Sequence, residues 1–167
     1  MTAPLLIFAY GNPSRGDDAL GPMLLERLEA QNLSHIELLT DFQLQVEHAI
    51  DLQGRKLVLF IDASVSCPPP FTLSRLVAAK DNSFTSHAMS PAAVLQAYQE
   101  LYGEAPPAWL LAVRGESFEL GEPLSAAAER NLEQAFTLLE KLCASPSHQA
   151  WDQFIMPSNA TILRQKS

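Results

Sequence analysis

The chain has 167 residues and a formal net charge of −8, from 19 acidic and 11 basic side chains, and 47% of it is apolar. This is one domain's worth of chain, long enough to enclose a core without disulfides or a structural metal, and too apolar to be disordered. The acidic balance, with no basic run to offset it, repels phosphate backbones and excludes nucleic acid as an expected partner.

Residues 5–10 form an apolar run with no Lys or Arg before it. The run is too short for a secretory leader and reads as a first buried strand. Residues 17–31 carry Leu20, Leu24 and Leu28 at four-residue spacing and predict a helix. Residues 36–40 are a weaker strand candidate, and residues 46–52 a short helix. Residues 57–62 are a second strong apolar run. Residues 71–77 follow Pro68, Pro69 and Pro70, which suits a sheet edge. A helix begins at Ser90-Pro91, a capping serine followed by Pro at the first helical position, with Val94, Tyr98 and Leu101 on one face. Residues 109–113 are the third strong strand. A last helix runs from near Ser125 to about Cys143, with Leu132, Phe136, Leu139 and Cys143 on one face.

The strong strands are near-continuous in apolar residues, as in a parallel sheet covered on both sides. The alternation of strands and helices predicts an α/β fold, an open twisted, mostly parallel sheet with helices on both faces. Residues 1–145 form the domain. Residues 146–167 are a C-terminal tail with Trp151, Phe154, Ile155, Met156, Ile162 and Leu163, too apolar for a solvated segment and expected to dock in part. No apolar stretch approaches the ~18–20 residues that span a bilayer, so a membrane is not an expected partner. Cys67 and Cys143 stand far apart with no C-x-x-C pair, which fits a reducing, cytoplasmic setting.

In an open α/β sheet, ligands bind outside the carboxyl ends of the strands. The first strand opens there into Gly11-Asn12-Pro13-Ser14-Arg15-Gly16-Asp17-Asp18, the run 57–62 ends at Asp62, and the edge element leads on to Ser86-His87-Ala88-Met89-Ser90. Two carboxylates and an imidazole are thus expected at one rim. Oxygen and nitrogen ligands of this kind suit a divalent transition ion. Gly11 and Gly16 have the glycine spacing of a P-loop, but Asp17 and Asp18 stand where Lys and Ser or Thr are needed, so a nucleotide site is rejected. Each residue also has a plain structural explanation. Asp17 and Asp18 suit the start of a helix, Asp62 the end of a strand, and a single histidine such as His87 is commonly just hydrogen-bonded. Cys67 shows no neighbouring base and reads as a small loop residue.

Ala9-Tyr10-Gly11-Asn12 followed by Asp17-Asp18-x-x-Gly21 resembles the opening motif of the nickel–iron hydrogenase maturation endopeptidases. Phe60-Ile61-Asp62-Ala63 resembles their central strand, and Ser86-His87-x-x-Ser90-Pro91 their histidine segment before a helix. Softer matches are Gln43-Leu44-x-x-Glu47, Arg114-Gly115-Glu116-Ser117-Phe118, and Leu124-Ser125. The resemblance covers residues 4–143 in the family's order.

That resemblance implies an endopeptidase that removes a short C-terminal extension from the precursor of a hydrogenase large subunit after nickel insertion. It implies Asp18, Asp62 and His87 as the metal-contacting residues. The first of these is Glu in some members; Asp18 is one methylene shorter. Nickel arrives with the precursor and is not held permanently. It serves as an anchor for recognition; if it also polarises the scissile carbonyl or activates water, a carboxylate such as Asp17 would be the general base. Neither G-x-S-x-G nor H-E-x-x-H occurs in the chain. Two other classes stay open: a metal-dependent hydrolase carrying its own ion, and a non-catalytic nickel-binding assembly factor.

Overall fold

The structure is a computed structural model and describes residues 2–80 and 89–155. Its framework is a five-stranded sheet: β1 (Leu5–Tyr10), β2 (Ile36–Asp41), β3 (Leu57–Ser64), β4 (Phe71–Arg75) and β5 (Ala108–Arg114), in the order β2-β1-β3-β5-β4. The first four in that order are parallel, and β4 is antiparallel to β5 at the edge. This is the mostly parallel open sheet expected from the sequence. The residue before it, Pro70, closes the edge through its carbonyl, which accepts the Arg114 amide at 3.1 Å.

The side chains of β1 and β3 alternate between two cores. Leu5, Ile7 and Ala9, with Leu57, Leu59 and Ile61, pack against α1 (Leu20–Glu29) and α3 (Ala126–Ala144). Leu6 and Phe8, with Val58 and Phe60, pack against α2 (Pro91–Tyr102) and the 3₁₀ helix Val46–Leu52. Burial on both faces is why these strands are apolar throughout. Ser90 caps α2 by accepting the Ala93 amide, and Ser125 caps α3 by accepting the Ala128 amide. Among the described residues, no helix is long and apolar enough to cross a membrane.

Three boundaries differ from the sequence expectation. The helix expected over residues 17–31 opens as a 3₁₀ turn, Gly16–Ala19, before α1 begins at Leu20. Asp17 and Asp18 do not cap it, because their carboxylates bond elsewhere. The third strand runs on past Asp62 to Ser64, since Asp62, Ala63 and Ser64 pair with Ala112, Val113 and Arg114. The edge strand stops at Arg75 and not at Val77.

Beyond Ser145 the chain turns into α4 (His148–Asp152). Trp151 is fully buried there. Its ring meets Trp109 edge-on with centroids 5.0 Å apart, and its Nε1 donates to the Leu142 carbonyl at 2.9 Å. Trp109 Nε1 in turn donates to Asp152 at 3.1 Å. Residues 156–167 lie outside the described residues, and with them Met156, Ile162 and Leu163.

Candidate functional site

The site grows from the loop that follows β1. Gly11 is extended away from the sheet at φ +150°, and its amide donates to the Asp41 carbonyl at the end of β2. A Cβ at Gly11 would lie 2.1 Å from the Asp18 carbonyl oxygen, so only glycine lets the loop close this tightly. The closure brings the Asn12 amide to Asp18 Oδ2 at 2.6 Å. Asp18 is thereby held at the carboxyl rim of the sheet, half-buried, with acceptor capacity left over.

Asp62 reaches the same rim from β3. The β1–β3 register ends at Ala9 opposite Ile61, so Tyr10 and Asp62 are the next neighbours, on the α2 side of the sheet. The Tyr10 hydroxyl and the Asp62 carboxylate perturb one another electrostatically. Burial pushes Asp62 up to about 7, the neighbouring Tyr10 hydroxyl opposes this, and the nearby charge of Asp18 adds to it. Burial, then the charge of Asp62, raises Tyr10 far above the usual phenol range, so its hydroxyl remains a donor. Two carboxylates from segments 44 residues apart thus share one electrostatic neighbourhood.

Asp17 points into a different environment. It is fully buried. Its Oδ2 accepts the Glu116 amide at 2.7 Å, the Ser117 amide at 3.1 Å and the Ser125 hydroxyl at 2.7 Å, while Oδ1 accepts the Ser125 amide at 2.7 Å. Burial alone would raise its pKa, but these bonds together outweigh it and hold the carboxyl below the usual range. Its own amide donates to the Ser117 carbonyl at 2.8 Å. Asp17 is therefore the tie between the first loop, the loop after β5 and the cap of α3. A carboxylate so enclosed has no open path to a water, which leaves no geometric basis for the general-base role considered from sequence.

His87 lies outside the described residues. The chain re-enters at Met89, whose amide donates to the Leu44 carbonyl at 2.9 Å, just after the carboxyl end of β2. Another imidazole, His48, lies near the rim with both nitrogens engaged: Nδ1 accepts the Gln45 amide at 2.8 Å, and Nε2 faces Asp41 Oδ2 at 3.1 Å. Among the described residues, no group of three or more His, Cys, Asp or Glu is placed to hold a metal ion. Asp18 and Asp62 both lie at the rim, and the third residue of the expected set, His87, lies outside the described residues. Cys67 is a buried free thiol, pushed above the usual range by burial, with Sγ 3.6 Å from the Ala112 carbonyl. It is a packing residue, as its sequence context suggested.

Sequence reasoning overlooked Tyr10, the strand neighbour of Asp62, and the Asn12 amide, which fixes Asp18. For Tyr10 the signal was present: it is the last residue of a strand whose neighbour ends in Asp62. The Asn12 bond had none, because a backbone donor leaves no mark in residue identity.

No family model matches the chain, and no curated protein matches it. Its fold is that of known peptidases. The hydrogenase maturating endopeptidase HybD of E. coli is 28% identical, with a TM-score of 0.65, covering 84% of this chain and 93% of that one. An endopeptidase of E. coli solved in solution is 24% identical at the same TM-score and coverage. The nickel–iron hydrogenase maturation protease HycI of Thermococcus kodakarensis is 20% identical, TM-score 0.65, covering 86% and 94%. The class that fold and rim define is an α/β maturation peptidase. Together with the motifs at residues 9–21, 60–63 and 86–91, the similarity to HybD supports the resemblance to the hydrogenase maturation endopeptidases.

Proposed function

We propose that the protein removes the C-terminal extension from the precursor of a nickel–iron hydrogenase large subunit once nickel has been inserted, and that Asp18, Asp62 and His87 grip the ion the precursor carries. One observation supports this above the others: Asp18, held by the Asn12 amide, and Asp62 converge at the carboxyl rim of the parallel sheet, close enough for the charge of one to act on the other. Their mutual repulsion makes the rim unfavourable for two full charges alone and favourable for an arriving cation.

Each partner has its own task. Asp18 and Asp62 supply hard oxygen ligands. Asp62 must give up its proton to do so, and a neutral His87 supplies nitrogen. The part of His87 rests on its motif and on the anchoring of Met89, two residues further on, beside the rim. Asp17 holds the loops in register and transfers no proton. Nickel is cargo of the substrate, so the isolated protein has no resident cofactor. The two free cysteines fit a cytoplasmic setting, and the charge of −8 fits a protein partner over nucleic acid.

The test is intact mass of two precursors, one nickel-loaded and one nickel-free, before and after incubation with the purified protein. Cleavage of the loaded form alone is expected. Equal cleavage of both removes the nickel checkpoint, and cleavage of neither returns weight to a non-catalytic assembly factor.

A further inference from the structure

We propose that the outer edge of β2 receives the C-terminal extension of the precursor as an added antiparallel strand, which holds the segment beyond the cut in line with the rim. The proposal rests on the endopeptidase reading above. β2 is an outermost strand of the sheet. The Gly11 amide donates to the Asp41 carbonyl, so Asp41 turns its backbone groups toward β1, and by the alternation of a strand so do Leu39 and Glu37. Ile36, Leu38 and Thr40 then turn their N–H and C=O groups outward. Among the described residues, no backbone hydrogen bond outside the sheet reaches these three. Edges of this kind are commonly blunted by Pro, Lys or a bulge. β2 has neither Pro nor Lys, and its register with β1 is unbroken from Ile36 to Asp41. Its two acids are already engaged, Glu37 with Arg55 and Asp41 with His48.

The position of this edge selects its occupant. Asp41, at its carboxyl end, is bonded to Gly11, and the residue after Gly11, Asn12, holds Asp18. The edge therefore runs into the rim. An added strand would lie two strand spacings from β1, ~10 Å, which about three extended residues span. A chain cut at the rim has its C-terminal part leading away from it, toward the amino end of β2. That direction is antiparallel to β2, the more stable pairing per residue. Beside the strand, Leu28, Leu33, Ile36 and Leu38 line a hollow of about 370 Å³ with Glu29 and Glu37. An apolar side chain of the added strand fits there, and pockets for alternate side chains are how strand addition gains specificity. A second copy of this chain would meet the same edge with a charge of −8 on each partner, which opposes self-pairing.

The probes are a nickel-loaded large-subunit precursor and a synthetic peptide with the sequence of its extension. Amide hydrogen exchange of the full chain is followed with and without the peptide in millimolar excess. The amides of Ile36, Leu38 and Thr40 should gain protection, while those of Glu37, Leu39 and Asp41, already turned to β1, should change little. Peptides N-methylated at alternate residues should divide into one set that binds and one that does not. Thr40→Pro removes one outward donor and no bond to β1. It should melt near wild type and raise KM for the precursor by up to about 10-fold at unchanged kcat, the equivalent of one net hydrogen bond. The peptide measurements need no variant and decide the matter should Thr40→Pro misfold. Unprotected edge amides, or a folded Thr40→Pro with unchanged KM, would overturn the proposal and leave the endopeptidase reading standing. Protection that appears without peptide and grows with protein concentration would assign the edge to a second copy and also overturn it. Alternating protection by the peptide, with no cleavage of the precursor by wild type, would remove the endopeptidase reading and leave strand addition intact.

Discussion

The Asp18 carboxylate accepts the amide proton of Asn12, six residues earlier, at 2.6 Å. The first loop therefore closes on itself before any partner arrives, and Gly11 is the residue that permits it. Carboxylate geometry at the Asp18 half of the rim is set by local backbone.

Gly11→Ala should break this closure. The new Cβ would fall 2.1 Å from the Asp18 carbonyl, on a backbone at φ +150°. A loss of about 2 kcal/mol or more in stability is expected. Hydrogen exchange should show the Asn12 amide losing protection in any variant that still folds. Unchanged protection would mean that the loop tolerates a side chain there.

Asp62→Asn should stop precursor cleavage while stabilising the fold at alkaline pH. Asp62 is raised from 3.8 to about 7, so between these values the folded protein holds a proton that the unfolded chain has lost. Its contribution to stability falls as pH rises through that window. At pH 8 the Asn variant should gain up to about 4 kcal/mol, fading toward pH 4. Thermal unfolding at several pH values reads this directly. A difference that does not change with pH would contradict it.

Asp17→Asn should destabilise strongly. Every oxygen position of Asp17 faces a donor, so an amide NH₂ in either orientation opposes an N–H or O–H. About 2–4 kcal/mol is expected from the orphaned buried donors. Because the Asp17 pKa is lowered, its stabilisation is present above the ordinary carboxylate value and is lost as pH falls through the folded one. Urea midpoints near neutral pH, at unchanged m-value, measure the loss.

Trp151→Ala should cost about 3–5 kcal/mol, as for large buried aromatics elsewhere. It removes the edge contact to Trp109 and the bond to the Leu142 carbonyl. Precursor cleavage per folded molecule should be preserved, since Trp151 lies at the amino end of β5, away from the rim. A selective loss of activity would show that this segment acts in the site.

Much of this was legible in the residues. The continuous apolar runs of β1, β3 and β5 are wide signals, because burial on both faces fixes every position. Asp18 and Asp62 stood out by their place at strand exits. Asp17 was misread because adjacent acids look alike in sequence. They differ only by which way a 3₁₀ turn rotates them, one to the rim and one inward to Ser125. The extension of β3 to Ser64 was hidden because polar Asp62 and Ser64 look like a strand ending, whereas pairing with β5 continues through the backbone.

Pro4 and Pro146 line one hollow of about 360 Å³ with Leu5, His35, Lys56 and Leu57, at the amino ends of the strands. The chain enters its sheet and leaves its last long helix at the same place, on the side opposite Asp18 and Asp62. Among the described residues, the rim is therefore bordered by loops and not by this entry and exit.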